Sequence, residues 1–114
     1  MGRRAATVDP FFAIADGTRR RLLDLLRDDE KSVSDLARNF DISLPAISQH
    51  LGILRQAGLV IPRSVGRRRL YRVRPKRLRV VHGWTSRYER FWRSRLDSLR
   101  EYLSDDQRQR RPHD

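Results

Sequence analysis

The segment from Ser32 to Val73 reads SVSDLARNFDISLPAISQHLGILRQAGLVIPRSVGRRRLYRV. Its first residue is typical of a helix N-cap, because a serine hydroxyl accepts a hydrogen bond from one of the free N–H groups at a helix start. Ser32 is followed three positions later by Asp35, an arrangement that resembles a capping box with a shorter acid than usual. The pattern predicts a short helix over about Val33–Phe40.

A second helix is predicted after a short turn. Ser43 is a good N-cap for a helix from Leu44 to about Gln56, and Gly58 supplies the left-handed conformation that commonly ends a helix. Apolar residues at i, i+4 and i+7 are predicted to face inward: Ile47, Leu51 and Leu54. The opposite face carries small, uncharged or hydrogen-bonding residues: Pro45, Ser48, Gln49, Gly52, Arg55 and Gln56. Such a face suits close approach to another molecule.

A β-hairpin is predicted directly after this helix. Strands over Leu59–Ser64 and Arg68–Val73 are joined across Val65-Gly66-Arg67. Pro62 has no N–H to donate, so the first strand is expected at an edge of the sheet. Alternate residues of the second strand are predicted to face inward: Tyr71 and Val73.

Two further helices are predicted before this segment. Asp9 as N-cap and Pro10 at the first helical position start a short, almost wholly apolar helix, which we expect to be buried in the core or against another subunit. Asp16 is a second cap, and a helix over Arg19–Arg27 follows, with its leucines facing the core. The charged residues of that helix are expected to lie mainly outside: Arg19, Arg20, Arg21 and Asp24.

A long last helix is predicted from about Pro75 to Leu103. Apolar residues recur there at three- and four-residue steps: Leu78, Val81, Trp84, Tyr88, Phe91 or Trp92, Leu96, Leu99 and Leu103. A chain of 114 residues has the size of one domain. We therefore expect a flexible N-terminus over 1–8, a domain over 9–104 that includes a helix at about 75–103, and a flexible polar tail over 105–114.

The charge of the chain is concentrated in one stretch. The 26 Lys and Arg against 14 Asp and Glu give a net charge of +12. Nine of the cations lie between positions 63 and 79, where no acid occurs: Arg63, Arg67, Arg68, Arg69, Arg72, Arg74, Lys76, Arg77 and Arg79. Solvated surfaces usually interleave both signs, so this stretch indicates a polyanionic partner, with nucleic acid foremost.

Composition excludes several other classes. No apolar run is long enough to span a membrane, and two arginines near the N-terminus are not followed by the apolar stretch of a secretory signal. The absence of cysteine excludes disulfides, thiolate metal sites and a cysteine nucleophile. No histidine stands with an orienting acid beside a nucleophile, and no phosphate-binding loop is found, so we do not expect an enzyme.

Two short helices at a turn, followed by a basic hairpin, are the plan of a winged helix-turn-helix. The predicted fold class is therefore mainly α with a small β-hairpin. Helix 44–56 is expected to enter the major groove, which is about 12 Å wide, and the wing 59–73 to reach the flanking groove or backbone. Arginines would supply affinity, while polar residues at the helix start would supply sequence preference. The residues assigned to DNA are Ser43, Leu44, Pro45, Ser48, Gln49, His50, Arg55, Arg63, Arg67, Arg68 and Arg69.

Five stretches of the chain together match a known family: AIADGTRRRLL at 13–23, SDLA at 34–37, ISLPAISQHL at 42–51, LRQAGLV at 54–60 and GRRRLYR at 66–72. Through them the chain resembles the ArsR/SmtB-type bacterial repressors over about residues 8 to 103. It implies a homodimer that represses from an inverted repeat in a promoter and is released by an effector. The family's DNA contacts map onto Leu44, Pro45, Ser48 and Gln49, together with the wing arginines. Leu44 could touch a thymine methyl or pack against Ile42.

The metal sites of that family are not matched. Many members use two cysteines on the third helix, where this chain has Ser32 and Ser34, and neutral hydroxyls are poor ligands for soft ions. A second family site needs an acid two residues before a histidine, but here Val80 stands before His82. One histidine per subunit falls short of the four ligands that zinc prefers. We predict no metal site and no cofactor, and His50 is expected to brace the helix or meet phosphate.

The aromatic residues of the last helix allow more than one role. Its side chains are expected to form the core of a dimer, which would also account for a hydrophobic fraction of only 38%. The residues assigned to this interface are Phe11, Phe12, Val81, Trp84, Tyr88, Phe91, Trp92 and Leu99. They could also line a cavity for an apolar or aromatic small-molecule effector, or the protein could have no ligand at all.

The expected partners are double-stranded DNA and a second copy of the chain, with no membrane. The expected location is the bacterial cytoplasm, at the nucleoid. The rival interpretation is an architectural, nucleoid-type protein held by charge with little sequence preference. Such a protein would carry Lys and Arg at the start of the DNA-facing helix, where this chain has Leu44-Pro-Ala-Ile-Ser-Gln49.

Overall fold

Side-chain caps define where the helices begin. In a computed structural model that describes residues 8–110, the Phe11 N–H donates to Asp9 Oδ1 at 2.8 Å, and α1 covers Pro10–Ile14. The Arg19 N–H donates to Asp16 Oδ2 at 3.0 Å at the start of α2, Gly17–Leu25. Both caps were predicted, although α2 begins and ends two residues earlier than the pattern indicated.

The two serine caps are confirmed as well. The Asp35 N–H donates to Ser32 Oγ at 3.1 Å before α3, Val33–Ala37. The Ala46 N–H donates to Ser43 Oγ at 3.2 Å before α4, Leu44–Gln56, which has the predicted bounds. The prediction that the first of these helices reaches Phe40 is wrong, because its last turn is tightened by i→i+3 bonds to the carbonyls of Leu36 and Ala37.

A three-stranded antiparallel sheet follows, in the order β1-β3-β2. β2, Val60–Val65, and β3, Arg68–Val73, form the predicted hairpin with Pro62 on the edge strand. Val65 pairs with Arg68, so the turn contains two residues rather than the predicted three. Gly66 occupies its first position with φ 62°, a left-handed conformation that glycine adopts without a Cβ clash.

The sequence pattern missed β1, Lys31–Ser32, which pairs with Tyr71 and Leu70 of β3. Two residues are too few to show the alternation of a strand, and Ser32 also serves as the cap of α3. The strand joins the wing to the start of the helix-turn-helix. It therefore limits how far the hairpin can swing away from α3.

The core lies between α2, α3, α4 and the sheet. Leu51 and Leu54 of α4 are fully buried, as the i, i+4, i+7 spacing predicted, and Tyr71 of β3 is buried as the hairpin alternation predicted. The buried apolar set is Ala13, Leu22, Leu26, Leu36, Ile47, Leu51, Leu54, Ala57, Leu59, Val60 and Tyr71. This packing leaves the opposite face of α4 free to contact a partner.

The prediction of one continuous helix over 75–103 is wrong, because 3₁₀ turns interrupt this segment. A 3₁₀ turn at Pro75–Arg77 leads into α5, Leu78–Thr85, and a second 3₁₀ turn at Ser86–Tyr88 precedes α6, Glu89–Arg110. Thr85 Oγ1 donates to the His82 carbonyl at 3.1 Å and Ser86 Oγ to the Gly83 carbonyl at 2.9 Å. Such bonds back to the preceding turn disturb a regular helix.

The helix also continues beyond Leu103, through residues that were expected to form a flexible tail. Polar composition does not prevent helix formation, since Gln and Arg, four of the seven residues from 104 to 110, are good helix formers. Residues 1–7 and 111–114 lie outside the described part of the chain, and with them most of the predicted flexible N-terminus. The chain divides into two compact units, one ending at Val81 and the other beginning at His82.

Candidate nucleic-acid interface

The N-terminal end of α4 presents an uncharged, exposed surface. The side chains assigned there to DNA are all exposed: Ser43, Leu44, Pro45, Ser48 and Gln49. Leu44 and Ile42 are 49% and 42% exposed, so Leu44 is not packed away against its neighbour. A helix N-terminus carries partial positive charge and free N–H groups, which suit a phosphate. Small polar side chains beside it can approach base edges.

The tip of the wing carries the exposed cations Arg67 and Arg69. The Arg69 guanidinium carbon lies 5.7 Å from the centre of the Tyr71 ring, and Tyr71 is buried in the core. This cation–π contact anchors one wing arginine to the rigid part of the domain. Arg55 is also exposed, in the last turn of α4.

The other two wing arginines assigned to DNA already hold acids. Arg63 forms a two-armed ion pair with Glu30, in which Arg63 Nε lies 2.9 Å from Glu30 Oε2. Arg68 Nη2 donates to Asp35 Oδ2 at 3.1 Å. The hydrogen bond from Arg63 lowers the pKa of Glu30 and raises that of the arginine. These pairs fix the wing against β1 and α3, and part of the charge of Arg63 and Arg68 is already neutralised.

The structure places His50 away from the exposed face. Its ring is half-buried, with Nδ1 3.3 Å from Arg19 Nη1 and 3.9 Å from Asp16 Oδ2. Of the two roles that the sequence left open, this position favours bracing the helix over contacting phosphate. The expectation that Arg19 lies outside is wrong, because only 7% of this residue is exposed.

The core position of Arg19 had a signal in the sequence. Arg19 is three residues before Leu22 and seven before Leu26, so it lies on the same stripe of α2 as two buried leucines. A charged residue on such a stripe indicates a buried hydrogen-bonding role. By contrast, no local pattern pairs Glu30 with Arg63 or Asp35 with Arg68, which are each 33 positions apart.

The residues assigned to a dimer interface are largely solvent-exposed in the single chain. Phe12 of α1 is 58% exposed, and Phe91 and Trp92 of α6 are each 65% exposed. Trp84, Tyr88 and Leu99 are about half exposed, whereas Phe11 and Val81 are of intermediate burial. Rings on the C-terminal unit contact one another in series at tilted angles, with centroids 5.2 Å apart for Trp84 and Tyr88 and 6.1 Å for Tyr88 and Phe91.

The serines at the cysteine positions of related metal sensors have other surroundings. Ser32 is buried and caps α3, and Ser34 is exposed on the same helix. His82 is exposed in α5. Within residues 8–110, no three His, Cys, Asp or Glu side chains are grouped in a way that could hold a metal ion. In the same range, no helix has both the length and the apolar content required to cross a bilayer.

The wing ion pairs predict a dependence of stability on pH. Because the hydrogen bond from Arg63 lowers the pKa of Glu30 in the folded protein, the folded state binds protons less readily than the unfolded state. This contribution is fully present above the unfolded glutamate pKa, about 4.3, and is lost as the pH falls through the folded pKa. We expect Glu30→Gln to reduce the decline in melting temperature between about pH 5 and pH 3. Glu101→Gln, which removes an exposed carboxylate of α6, should leave the decline as in wild type; equal curves for all three proteins would contradict the assignment.

Comparison with known proteins identifies the family. The family described as "Bacterial regulatory protein, arsR family" matches residues 16–61. The chain is similar to the HTH-type transcriptional regulator Rv2034 of Mycobacterium tuberculosis, with 41% identity over 80 residues, covering 70% of this chain and 72% of that protein. It is also similar to the transcriptional repressor SdpR of Bacillus subtilis, with 50% identity over 50 residues, covering 44% of this chain and 56% of that one.

A solved structure extends the similarity to most of the fold. The crystal structure named "Possible transcriptional regulator for arsenical resistance" matches with a TM-score of 0.66 and 40% identity, over 87% of this chain and 97% of that chain. The exposed uncharged start of α4 and the arginine wing are the parts of this fold that can meet a DNA groove and its phosphates. The chain therefore belongs to the ArsR family of bacterial regulatory proteins, and it is a sequence-specific DNA-binding transcriptional regulator with a winged helix-turn-helix fold, not an enzyme.

Proposed function

We propose that the protein is a homodimeric repressor that binds an inverted-repeat operator, with one α4 in each of two successive major grooves. The observation that carries the proposal is the exposed, uncharged start of α4 beside an arginine-rich wing. Repression is taken from the named relative SdpR and from the family resemblance. A two-fold symmetric dimer would require half-sites one helical turn or a multiple apart, about 34–36 Å.

Within this proposal, different residues recognise the base sequence and bind the phosphate backbone. Ser48 and Gln49 read base edges, because their side chains are exposed and can both donate and accept hydrogen bonds. Arg67 and Arg69 bind backbone phosphates and provide most of the affinity. Arg63 and Arg68 chiefly hold the wing in place through Glu30 and Asp35.

In the proposed dimer, a second copy of the chain buries the exposed apolar side chains. Aromatic rings that are more than half exposed are costly in water, and aromatic residues are enriched at protein interfaces. The rings of α5 and α6 would supply one such surface, and the exposed Phe12 of α1 would supply a separate contact. The low apolar fraction of the chain agrees with a core that is completed on dimerisation.

The proposed repressor does not respond to metal ions, since Ser32 and Ser34 replace the family's cysteines and His82 has no acid two residues before it. In one chain the aromatic rings form an open surface rather than an enclosed cavity. An apolar effector would therefore bind where two copies meet, and regulation by protein concentration alone is the alternative. A panel of small aromatic compounds, scored by thermal shift and by release of DNA, distinguishes the two. The proposed location is the bacterial cytoplasm, at the nucleoid.

Selection of bound sequences from a random DNA pool tests the proposal. We expect an inverted repeat to emerge, and Gln49→Ala to reduce discrimination between this site and random DNA by about 1–3 kcal/mol if Gln49 reads a base. Arg67→Ala should weaken binding to both DNAs by a similar factor. Equal competition by selected and random DNA for the wild-type protein would favour the architectural interpretation. If Gln49→Ala weakened both DNAs equally and Arg67→Ala changed discrimination, the two roles would be reversed.

A further inference from the structure

Arg19 is a buried arginine whose donors are divided between two helices. Its Nε donates to the Ala13 carbonyl at 2.7 Å, and its Nη2 donates to the Phe12 carbonyl at 3.2 Å. Its Nη1 lies 3.3 Å from Nδ1 of His50 in α4. A buried guanidinium is tolerated only when its N–H groups are satisfied, and no buried side-chain N or O in the described part of the chain lacks a partner.

The carbonyls that Arg19 binds lie in the last turn of α1. Carbonyls at a helix C-terminus carry partial negative charge and so suit a cation, and the Phe12 carbonyl accepts from the Ala15 N–H at 3.2 Å as well as from Arg19. The Arg19 guanidinium carbon is also 5.4 Å from the centre of the Phe12 ring. The arginine is thus attached to α1 through two hydrogen bonds and a ring contact, and its backbone N–H is held by Asp16. These contacts fix the position of the remaining guanidinium nitrogen, Nη1.

Arg19 Nη1 contacts His50 of α4, the helix that we propose faces DNA. Arginine has donors and no acceptor, so a hydrogen bond at this 3.3 Å contact requires His50 Nδ1 as the acceptor and the ring proton on Nε2. His50 directly follows Gln49 and lies one turn before Leu54, which is fully buried. A contact at this point limits rotation of α4 about its own axis. Rotation would turn Ser48 and Gln49 away from a groove that they otherwise face.

We propose that Arg19 is a positioning residue for DNA reading, which sets the orientation of α4 through His50 and couples that orientation to α1. This inference rests on the proposed function of α4 as the reading helix. It adds that sequence discrimination depends on a residue that touches no DNA. Because Phe12 is largely exposed on α1, a change of packing at that surface would move the arginine and through it α4.

Arg20 provides a matched control. It is the next residue in α2, and its Nη1 donates to the Ile14 and Ala15 carbonyls at 2.8 and 3.1 Å. It is exposed, and these two side-chain hydrogen bonds are to the end of α1. Arg19→Met and Arg20→Met therefore both remove a cation bound to carbonyls near the end of α1. Only Arg19→Met removes the contact with α4.

The test compares full-length wild type, Arg19→Met and Arg20→Met on the selected operator and on random DNA of equal length. We expect Arg19→Met to reduce the ratio of the two dissociation constants by about 5- to 150-fold, the range usual for coupling between sites, and Arg20→Met to leave it unchanged. Affinities are referred to the folded fraction, measured by circular dichroism, so a loss of stability alone does not change the ratio. An unchanged ratio in Arg19→Met would overturn the inference while leaving the proposed function intact. A wild-type protein that fails to discriminate would refute the proposed function itself, and the inference with it.

A second readout follows the histidine directly. Nitrogen-15 NMR of the His50 ring is expected to show Nδ1 as an unprotonated acceptor in wild type and in Arg20→Met, and a mixture of tautomers in Arg19→Met. In a His50→Phe background, which keeps a ring but removes the nitrogen acceptor, adding Arg19→Met should cause little further loss of discrimination, because the link to α4 is already broken. Fully additive losses in this double-mutant cycle would show that Arg19 does not act through His50.

Discussion

Raising the salt concentration from 50 to 200 mM is expected to weaken DNA binding by about 10³- to 10⁵-fold, if the dimer neutralises six to ten phosphates. The physical reason is that each lysine or arginine that neutralises a phosphate releases a condensed counterion, and this release is less favourable at higher salt. Nine cations lie between positions 63 and 79, and because Arg63 and Arg68 are paired with Glu30 and Asp35, the other seven are the main groups that can neutralise these phosphates. The measurement is the slope of log affinity against log salt concentration.

The structure predicts which arginines contribute most to that slope. Arg67→Ala should reduce its magnitude by about one for each phosphate that is no longer neutralised, and so by about two in a dimer. Arg63→Ala is the matched control from the same hairpin, because its guanidinium is paired with Glu30 and so should release fewer counterions. Slopes that fall equally in both variants would show that the ion pair opens on DNA. A slope near zero for wild type would contradict phosphate binding by the wing altogether.

Local signals predicted much of the fold. A cap is formed between residues two or three positions apart, and helix spacing repeats within one or two turns. Asp9, Asp16, Ser32 and Ser43 were therefore identified correctly as four helix caps, although α2 begins two residues before its predicted start, and the bounds of α4 were predicted as observed. The hairpin was also predicted, since Gly66 supplies the left-handed residue that a tight turn needs. These features depend on interactions between residues close together in the chain, so the sequence pattern alone predicts them.

The features that the sequence did not predict depend on contacts between distant residues. Lys31–Ser32 becomes a strand only because β3 lies beside it. Arg19 is buried because α1 offers two carbonyls and α4 offers a ring nitrogen, all three within reach of one guanidinium. The site is affected in the same way: the exposed start of α4 was predicted, whereas the partial neutralisation of Arg63 and Arg68 by acids was not. Charge counted along the chain therefore overstates the charge that DNA meets.

Trp84→Asp is expected to convert the proposed dimer to a monomer in sedimentation experiments. Trp84 is about half exposed and makes a tilted ring contact with Tyr88, and a carboxylate placed in an aromatic interface would lose its hydration without gaining a partner. Two linked reading heads bind an inverted repeat more tightly than one head by about 10²–10⁴-fold, because the second binding event is intramolecular. The variant should therefore lose about that factor on the full repeat and bind a single half-site as wild type does.

Ser104→Asp is the control for this experiment, since it adds the same charge at an exposed polar position of α6. Its neighbours three and four residues away along the helix are polar, namely Arg100, Glu101, Gln107 and Arg108, so the dimer should persist. If the Trp84→Asp protein remained dimeric, the dimer interface would have to lie on another surface. A monomer that still bound the full repeat with wild-type affinity would show instead that dimerisation does not link the two heads, and that each α4 finds its half-site independently.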